Sequence, residues 1–267
     1  MKRRAVYFIA LLSSTLFWQC KSFLTEANQL NAFTVQQDKE LGDQVAAEIA
    51  ANTKDYPILP EKGNEKIYNY IRGLTNSIIQ SGKVKYRDEF SWETHIIKDD
   101  KTQNAFCTPG GKIYVYTGLI KYLDSEDQLM GVLGHEIAHA DCRHSTEQLT
   151  KQYGIAFLAD ALLGNKAAIG QVAKSVVGGL AGLSFSRANE SEADAKSVEY
   201  LCSTSLNATG AAGFFKKIEG QSQPPTWLST HPNPTNRIAN IEKKAKELGC
   251  TGTQTFASTY QQMKQLL

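Results

Sequence analysis

The sequence predicts a mainly helical α+β domain with a small β-sheet. Hydrophobic residues recur at helical spacing in most of the 267-residue chain. Residues 90–98 and 112–117 instead alternate and are rich in β-forming residues, and the Pro-Gly-Gly sequence at 109–111 predicts a turn between these strands. A content of 42% hydrophobic and 21% charged residues is typical of globular proteins, and it excludes collagen-like and fully disordered chains.

Helix caps and periodicity place the helices. Thr34 and Gln37 have the spacing of a capping box at the start of the first helix, and residues 62–80 form the second. Ser125 and Gln128 have the same spacing and precede a third helix with apolar residues on one face. Two further helices are predicted over residues 189–206 and 235–248.

The N-terminus has the pattern of an export signal. Basic residues at positions 2–4 precede an uncharged, mostly apolar stretch of 14 residues, Ala5–Trp18, whereas a membrane-spanning helix needs about 20. We therefore expect a signal peptide over residues 1–19. Cys20 follows this stretch as in a bacterial lipobox, which predicts lipidation of Cys20, a tether over residues 20–33, and location at the periplasmic face of the outer membrane.

The mature chain is predicted to hold one near-neutral domain over residues 34–250 and a C-terminal tail over 251–267. Without the three basic residues of the leader, 26 basic residues face 27 acidic ones, a balance that does not suggest a nucleic-acid binder. The oligomeric state is not indicated. In an exported chain the remaining cysteines permit two disulfides in any of three pairings, or free thiols: Cys107, Cys142, Cys202 and Cys250.

The segment HEIAH at residues 135–139 lies inside the third predicted helix. Residues four apart share a helix face, so His135 and His139 could bind one Zn²⁺ through neutral imidazoles. Glu136 lies about 100° round from His135, close enough to act as a base on a water that the metal acidifies. The motif therefore predicts a metal-dependent hydrolase with a third protein ligand and an open coordination position. Ordinary helix histidines are the alternative.

The acidic segment SRANESEAD at residues 186–194 contains the candidate for the third ligand. Glu190 and Asp194 share a helix face, so Glu190 could complete a His₂Glu site while Asp194 accepts a hydrogen bond from a ligating imidazole. Glu192 lies about 200° from Glu190, so only one of the two can face the metal. Spacing does not decide between them, and an acidic helix start favoured by the helix dipole is the alternative for all three carboxylates.

Three other residues of metal-binding type are predicted to be structural. Cys142 lies seven residues beyond His135, about 10 Å further along the helix axis, which is too far to share an ion. His144 lies nine residues beyond His135 and, in a continuous helix, on roughly the opposite face. His95 is isolated on a predicted strand.

Four segments in this order resemble the HtpX/BepA/LoiP-type zinc metallopeptidases, a group that includes the CAAX prenyl endopeptidases. They are NAFCTPGGKIYVYTGLI (104–120), HEIAHADCRH (135–144), SRANESEAD (186–194) and HPNPTNRI (231–238). They resemble the substrate-side strand, the metal helix, the third-ligand helix and the His-Pro loop of that group, in its periplasmic lipoprotein branch. The resemblance covers roughly residues 35–250. It implies a zincin-like (gluzincin) metallopeptidase domain with a small β-sheet beside the HExxH helix.

The resemblance also implies a role for each motif residue. His135, His139 and Glu190 would ligate one Zn²⁺ per chain. Glu136 would be the general base, and Asp194 would support the site. The resemblance, rather than spacing, selects Glu190 as the third ligand.

His231 and one strand receive further roles from the resemblance. In periplasmic relatives the corresponding histidine approaches the open metal position or faces the scissile carbonyl, so His231 is predicted to lie within a few ångströms of the metal. Capping of a turn is the alternative. The resemblance also favours an exposed edge strand that pairs with extended substrate, an interior strand being the alternative. Its residues are Lys112, Ile113, Tyr114, Val115 and Tyr116.

These observations predict an exported, lipid-anchored zinc endopeptidase. By analogy its substrates are misfolded or stalled envelope proteins that enter as extended strands. A rival prediction is a chaperone-like or adaptor lipoprotein that binds unfolded clients in its groove while proteolysis is repressed. A structural zinc protein, which should unfold when the metal is chelated, is a third alternative.

Overall fold

The computed structural model of the chain describes residues 31–179, 184–219, 221, 225–232 and 236–267. The predicted signal peptide and Cys20 lie outside these residues. The strands are β1 (Glu93–Ile97), β2 (Ala105–Cys107) and β3 (Lys112–Tyr116). The helices are α1 (Val35–Ala51), α2 (Glu65–Ile79), α3 (Thr117–Tyr122), α4 (Glu126–Asp141), α5 (His144–Leu162), α6 (Lys166–Gly179), α7 (Arg187–Leu201), α8 (Gly210–Ile218), α9 (Trp227–Thr230), α10 (Arg237–Glu247) and α11 (Ala257–Lys264). Within the described ranges, no helix combines the length and apolar character that a bilayer span needs.

The sheet has the order β1-β3-β2, with β3 parallel to β1 and antiparallel to β2. All five residues of β3 are buried because helices cover both faces of the sheet. Ile113 and Val115 face the main core with α2 and α4, whereas Tyr114 and Tyr116 face a second core with α1 and α6. The prediction that residues 112–116 form an exposed edge is therefore wrong. The edge beside α4 is β2, a three-residue strand that the sequence analysis missed.

Two predicted capping boxes have different outcomes. The box at the start of α1 is present: the Thr34 hydroxyl accepts from the Gln37 N–H at 3.2 Å, and the Gln37 side chain accepts from the Thr34 N–H at 2.7 Å. At the start of α4, Ser125 is the N-cap residue, but its side chain makes no cap hydrogen bond. Its hydroxyl donates to Asp127 at 2.5 Å, and the Gln128 side chain accepts from a preceding backbone N–H.

Helix α4 lies at the centre of the domain and packs against β2, α2, α7 and α8. Every residue from Leu129 to Asp141 is buried. The crossing with α8 is so close that a Cβ on Gly131 would lie 2.1 Å from the backbone nitrogen of Ala211. The HEIAH segment is thus held on a helix that is enclosed on all sides, which limits the freedom of its side chains.

One disulfide ties the end of α7 to the segment after α10. It joins Cys202 to Cys250 across a sequence separation of 48 residues, and Cys107 and Cys142 are free thiols. Closing a loop of this length stabilises the folded state by about 4 kcal/mol in the chain-entropy description. The disulfide therefore restrains the helix that carries Glu190.

The domain extends beyond both predicted boundaries. Phe33, assigned to the tether, is 5% exposed and packs into the second core. Residues 251–267, predicted as a tail, contain α11. The Tyr260 ring in α11 is fully buried, and its hydroxyl donates to the backbone oxygen of Ile120 at 2.8 Å. The apolar face of α11 therefore belongs to the core.

Candidate metal centre

His135 and His139 project from one face of α4, as their spacing predicts. Each side chain is about 1% exposed, and their Nε2 atoms lie 2.9 Å apart. Both histidines direct Nε2 to the same point, so both could contribute this atom to one cation.

Helix α7 delivers a carboxylate to the same point. The helix begins at Arg187 after the N-cap residue Ser186, whose hydroxyl accepts a hydrogen bond from the Asn189 N–H, and this start places Glu190 in the first turn. The Oε2 atom of Glu190 lies 3.4 Å from His135 Nε2, and Oε1 lies 3.4 Å from His139 Nε2. Glu192 is directed elsewhere, so the structure separates the two carboxylates that spacing could not.

Asp194 and Arg237 fix the orientation of His135. Asp194 Oδ1 lies 2.9 Å from His135 Nδ1 and, as a carboxylate, accepts the ring proton there, which leaves Nε2 free. Arg237 donates to both carboxylate oxygens of Asp194, at 2.6 and 2.8 Å, and its Nη2 lies 2.9 Å from Glu190. The buried guanidinium of Arg237 thus holds Asp194, which orients the prospective ligand His135. It also contacts the prospective ligand Glu190.

His231 lies in the same group of atoms. Its Nδ1 lies 3.0 Å from Glu190 Oε1 and 3.2 Å from His135 Nε2, and the side chain is buried. The Trp227 ring stacks on it at 4.2 Å between centroids and 9° between planes. His231 therefore stands where a fourth ligand of a shared cation would stand.

Glu136 lies at the side of this group. Trp227 Nε1 donates to its Oε1 at 2.7 Å, and His231 Nε2 lies 3.5 Å from the same oxygen. Trp227 and His231, which are four residues apart, thus contact both Glu136 and the prospective ligands. Movement of the segment that carries them would change the surroundings of Glu136 and of the ligands together.

The expected position of His144 is wrong. Its Nδ1 lies 3.0 Å from His139 Nδ1, and the side chain is 1% exposed. The expectation assumed one continuous helix, but α4 ends at Asp141 and Arg143 adopts a left-handed backbone conformation with φ of 60°. The chain turns there and brings His144 back against His139.

The donor set fits a divalent cation. Two imidazoles and a carboxylate are ligand types that zinc prefers. Within the described residues, Oε2 of the fully buried Glu190 accepts no hydrogen bond, and Arg237 Nη2 is its ion-pair partner at 2.9 Å. Burial opposes ionisation of Glu190, but hydrogen bonds with the three histidines of the group hold its pKa well below the usual value. Burial also holds the pKa of His139 well below its usual value, so its ring is neutral, as a ligand must be.

His135 competes with a proton for the same cation. Burial lowers its pKa, but hydrogen bonds with Asp194 and Glu190 outweigh burial and raise the pKa to about 9. Metal binding therefore has to displace a proton from this ring, as it does from other histidine ligands.

The cleft that leads to the site is nearly closed. Its volume is about 40 Å³, and its lining includes Cys107, Glu136, Phe185 and His231. One water needs about 10–15 Å³ of such a volume, so this cleft has room for a few waters but not for a peptide. Phe185 stacks on His139 at 3.9 Å between ring centroids. Substrate would enter only after this side of the site opens.

Sequence reasoning missed three residues that contact the site. Arg237 stands six residues after His231 within the segment HPNPTNRI, so a signal for it was present. Trp227 stands four residues before His231, one helical turn away, but no pattern linked it to Glu136. For His144, helical spacing predicts the opposite face, because it does not include the turn after Asp141.

A helix with an HExxH motif, a carboxylate from a second helix and a small adjacent sheet define the zincin-like metallopeptidases. The predicted fold class is confirmed. The chain belongs to peptidase family M48, whose sequence model matches residues 66–245. The resemblance to the HtpX/BepA/LoiP-type enzymes is confirmed as well.

Proteins from bacteria and mitochondria are similar to this chain. The putative beta-barrel assembly-enhancing protease of Vibrio cholerae is 28% identical over 232 residues, which cover 81% of this chain and 46% of that protein. The mitochondrial metalloendopeptidase OMA1 of Schizosaccharomyces pombe is 30% identical, with 82% of this chain and 64% of that protein covered. The beta-barrel assembly-enhancing protease of Escherichia coli is 26% identical, with coverages of 82% and 46%. The chain thus spans about half the length of these bacterial relatives.

Proposed function

We propose that the chain is a zinc-dependent endopeptidase of unfolded polypeptides and that the closed conformation is its latent state. The observation that carries the proposal is the convergence of His135, His139 and Glu190 on one point, with Glu136 beside it. Two imidazoles and one carboxylate are the protein ligands of catalytic zinc sites that keep a fourth position open. One catalytic ion per chain follows from the single group of this kind in the described part of the chain.

Glu136 is the general base in this proposal. Zn²⁺ held by these three ligands would supply Lewis acidity to a water and to the scissile carbonyl. Glu136 would take a proton from the attacking water and pass it to the leaving amine. Asp194 keeps the proton of His135 on Nδ1, so that Nε2 stays available as a ligand.

His231 holds the enzyme latent. Its Nδ1 is directed at the point shared by His135 and Glu190, which the attacking water must occupy. Trp227 stacks on His231 and engages Glu136 at the same time. Release of this segment would free the open position and the base together.

Replacing His231 with alanine is expected to raise cleavage of an unfolded substrate several-fold and to change the absorption spectrum of the cobalt-substituted protein. The reason is that the variant lacks the imidazole that competes with water. His95→Ala is the matched control, because His95 lies on β1 away from the site. Unchanged cleavage and an unchanged spectrum in the His231 variant would exclude this role.

The substrate binds along β2. Hydrogen bonds from Tyr116 to Asn104 and from Thr108 to Lys112 direct the backbone groups of Asn104 and Thr108 toward β3. Backbone groups alternate in an antiparallel strand, so those of Ala105 and Cys107 point away from β3, and Cys107 lines the cleft. An extended polypeptide could pair there through its main chain, which selects unfolded segments over particular side chains.

Lipidation of Cys20 and location at the periplasmic face of the outer membrane complete the proposal. The pattern of residues 1–20 supports export and anchoring. The bacterial relatives named for beta-barrel assembly support the bacterial envelope as the location. Misfolded or stalled envelope proteins are the substrates that this location makes available.

Removing the metal tests the proposal. Chelation is expected to abolish cleavage of reduced, unfolded casein by the purified protein, and one equivalent of Zn²⁺ is expected to restore it, because Glu136 needs an acidified water. Circular dichroism distinguishes this result from unfolding, which a structural zinc protein would show. Cleavage that persists at full rate in the metal-free protein would contradict the proposal.

The nearly closed cleft also favours one alternative, a chaperone-like protein whose proteolysis is repressed. Suppression of client aggregation separates the two functions. If a variant without cleavage protects the client as well as the wild-type protein does, binding is an activity in its own right. If protection disappears with cleavage, the endopeptidase accounts for both.

A further inference from the structure

A second group of metal-binding donors lies behind His139. It consists of Cys142 at the end of α4, His144 at the start of α5 and Glu192 on α7. One ligand atom from each lies within 4.8 Å of the other two. We propose that these three residues form a second site for a thiophilic divalent cation such as Zn²⁺, distinct from the catalytic site.

The spacing of these donors suits a metal better than a hydrogen bond. His144 Nε2 lies 3.4 Å from Glu192 Oε2, which is beyond the usual range of N–H···O hydrogen bonds. Two ligands of a tetrahedral zinc ion, each about 2.1 Å from it, lie roughly 3.4 Å apart. The same separation of 3.4 Å joins Glu190 to each histidine of the HEIAH segment. Both groups therefore have the same nitrogen-to-carboxylate spacing.

The second group has access to solvent. Its three residues line a cavity of about 360 Å³, which has room for an ion and additional water ligands. The His144 side chain is 1% exposed, whereas that of Glu192 is 42% exposed, so the ion would enter past Glu192. A sulfur, an imidazole and a carboxylate favour zinc over magnesium or calcium, which prefer oxygen ligands.

The positive side chains around the cavity have other partners. Lys196 pairs with Glu199 at 2.9 Å, and Arg143 pairs with the buried Asp38. Lys85 lies over an aromatic ring. The carboxylate of Glu192 contacts His144 and the Cys142 thiol, while Lys196 acts on it through its charge without an ion pair.

The thiol of Cys142 has to lose its proton before it can bind a metal. Cys142 is a free thiol. Burial, together with the nearby acidic groups, raises the pKa of this thiol well above its usual value, so without a metal it stays protonated and a poor nucleophile. When the cation binds, a sulfur–metal bond forms and the thiol proton leaves to solvent.

The two sites are coupled through His144, an inference that rests on the proposed function. His144 Nδ1 lies 3.0 Å from His139 Nδ1, so two imidazole rings in contact join the two groups of ligands. A cation bound to either ring adds positive charge beside the other ring, where little water screens it. The second cation therefore opposes the catalytic one.

Cobalt substitution tests the second site without measuring activity. The catalytic ligands contain no sulfur, so a thiolate-to-cobalt charge-transfer band reports on the second site alone. The purified protein is expected to develop this band as a second equivalent of Co²⁺ binds. Cys142→Ala is expected to abolish the band, and Glu192→Gln to weaken it. Cys107→Ala, the control for the other free thiol, is expected to retain it.

Two results would overturn the second site: no band with two equivalents bound, or a band that Cys107→Ala removes. A zinc titration tests the coupling. A second equivalent of Zn²⁺ is expected to reduce casein cleavage about tenfold, the scale of a disturbed partner of a metal ligand. The Cys142 variant should not show this loss. Undiminished cleavage with both sites filled would overturn the coupling. If the protein cleaved no substrate at all, the proposed function would fail, but the cobalt band would still test the second site.

Discussion

Replacing Glu136 with glutamine is expected to reduce cleavage of an unfolded polypeptide by about a thousandfold while the metal content stays unchanged. A positioned general base contributes about 10²–10⁴-fold, and the amide cannot take the proton. The fold should be kept, because the amide oxygen of glutamine can still accept the hydrogen bond that Trp227 donates to Glu136. Initial rates and metal analysis of both proteins provide the measurement.

The matched control for this variant lies on the same helix. Glu126 is at the opposite end of α4, where it accepts a hydrogen bond from the Tyr70 hydroxyl, and glutamine can accept the same bond. Glu126→Gln is therefore expected to leave cleavage nearly unchanged. If Glu136→Gln retained full metal-dependent cleavage, another group would have to be the base.

The second large effect is expected from replacing Arg237 with methionine. Its guanidinium is buried between Asp194 and Glu190, and removing it leaves two buried carboxylates without their cationic partner. The loss of one partner of a buried ion pair costs about 3–5 kcal/mol. We therefore expect the free energy of unfolding to fall by that amount, and metal affinity to fall because Asp194 no longer holds His135 in place.

Arg72 offers a matched comparison at the surface. It makes a bidentate ion pair with Glu61, but both side chains are well exposed. Arg72→Met is expected to cost less than about 1 kcal/mol. Denaturant unfolding of the two variants measures the difference. Equal losses of stability would mean that the Arg237 network contributes no more than a surface pair.

The sequence predicts those parts of the site that depend on local geometry. His135 and His139 share a face because four residues make about one helical turn, and no distant contact is needed. The choice between Glu190 and Glu192 depends on how α7 is rotated against α4. Helical spacing does not predict that rotation. The family resemblance selects Glu190 because Glu190 occupies the position of the family's third ligand. The predicted face of His144 is wrong because nothing in the local sequence predicts a left-handed backbone conformation at Arg143.

The sheet illustrates the same distinction. Strands β1 and β3 were recognised from alternation over several residues, but β2 is only three residues long. A strand of that length shows no clear alternation, so the sequence could not reveal that β2 lies beside β3. The family resemblance favours an edge at residues 112–116, and no pattern in the sequence places another strand outside them. Strand order depends on long-range pairing that only the folded structure reveals.

Because of the disulfide between Cys202 and Cys250, the stability of the chain depends on the redox state of the compartment that contains it. Thiols stay reduced where proteins are synthesised, and they become oxidised after export. Until then, the helix that bears Glu190 lacks its covalent restraint. With the proposed export, the chain would attain full stability only outside the cytoplasm, which would be spared a fully assembled hydrolase.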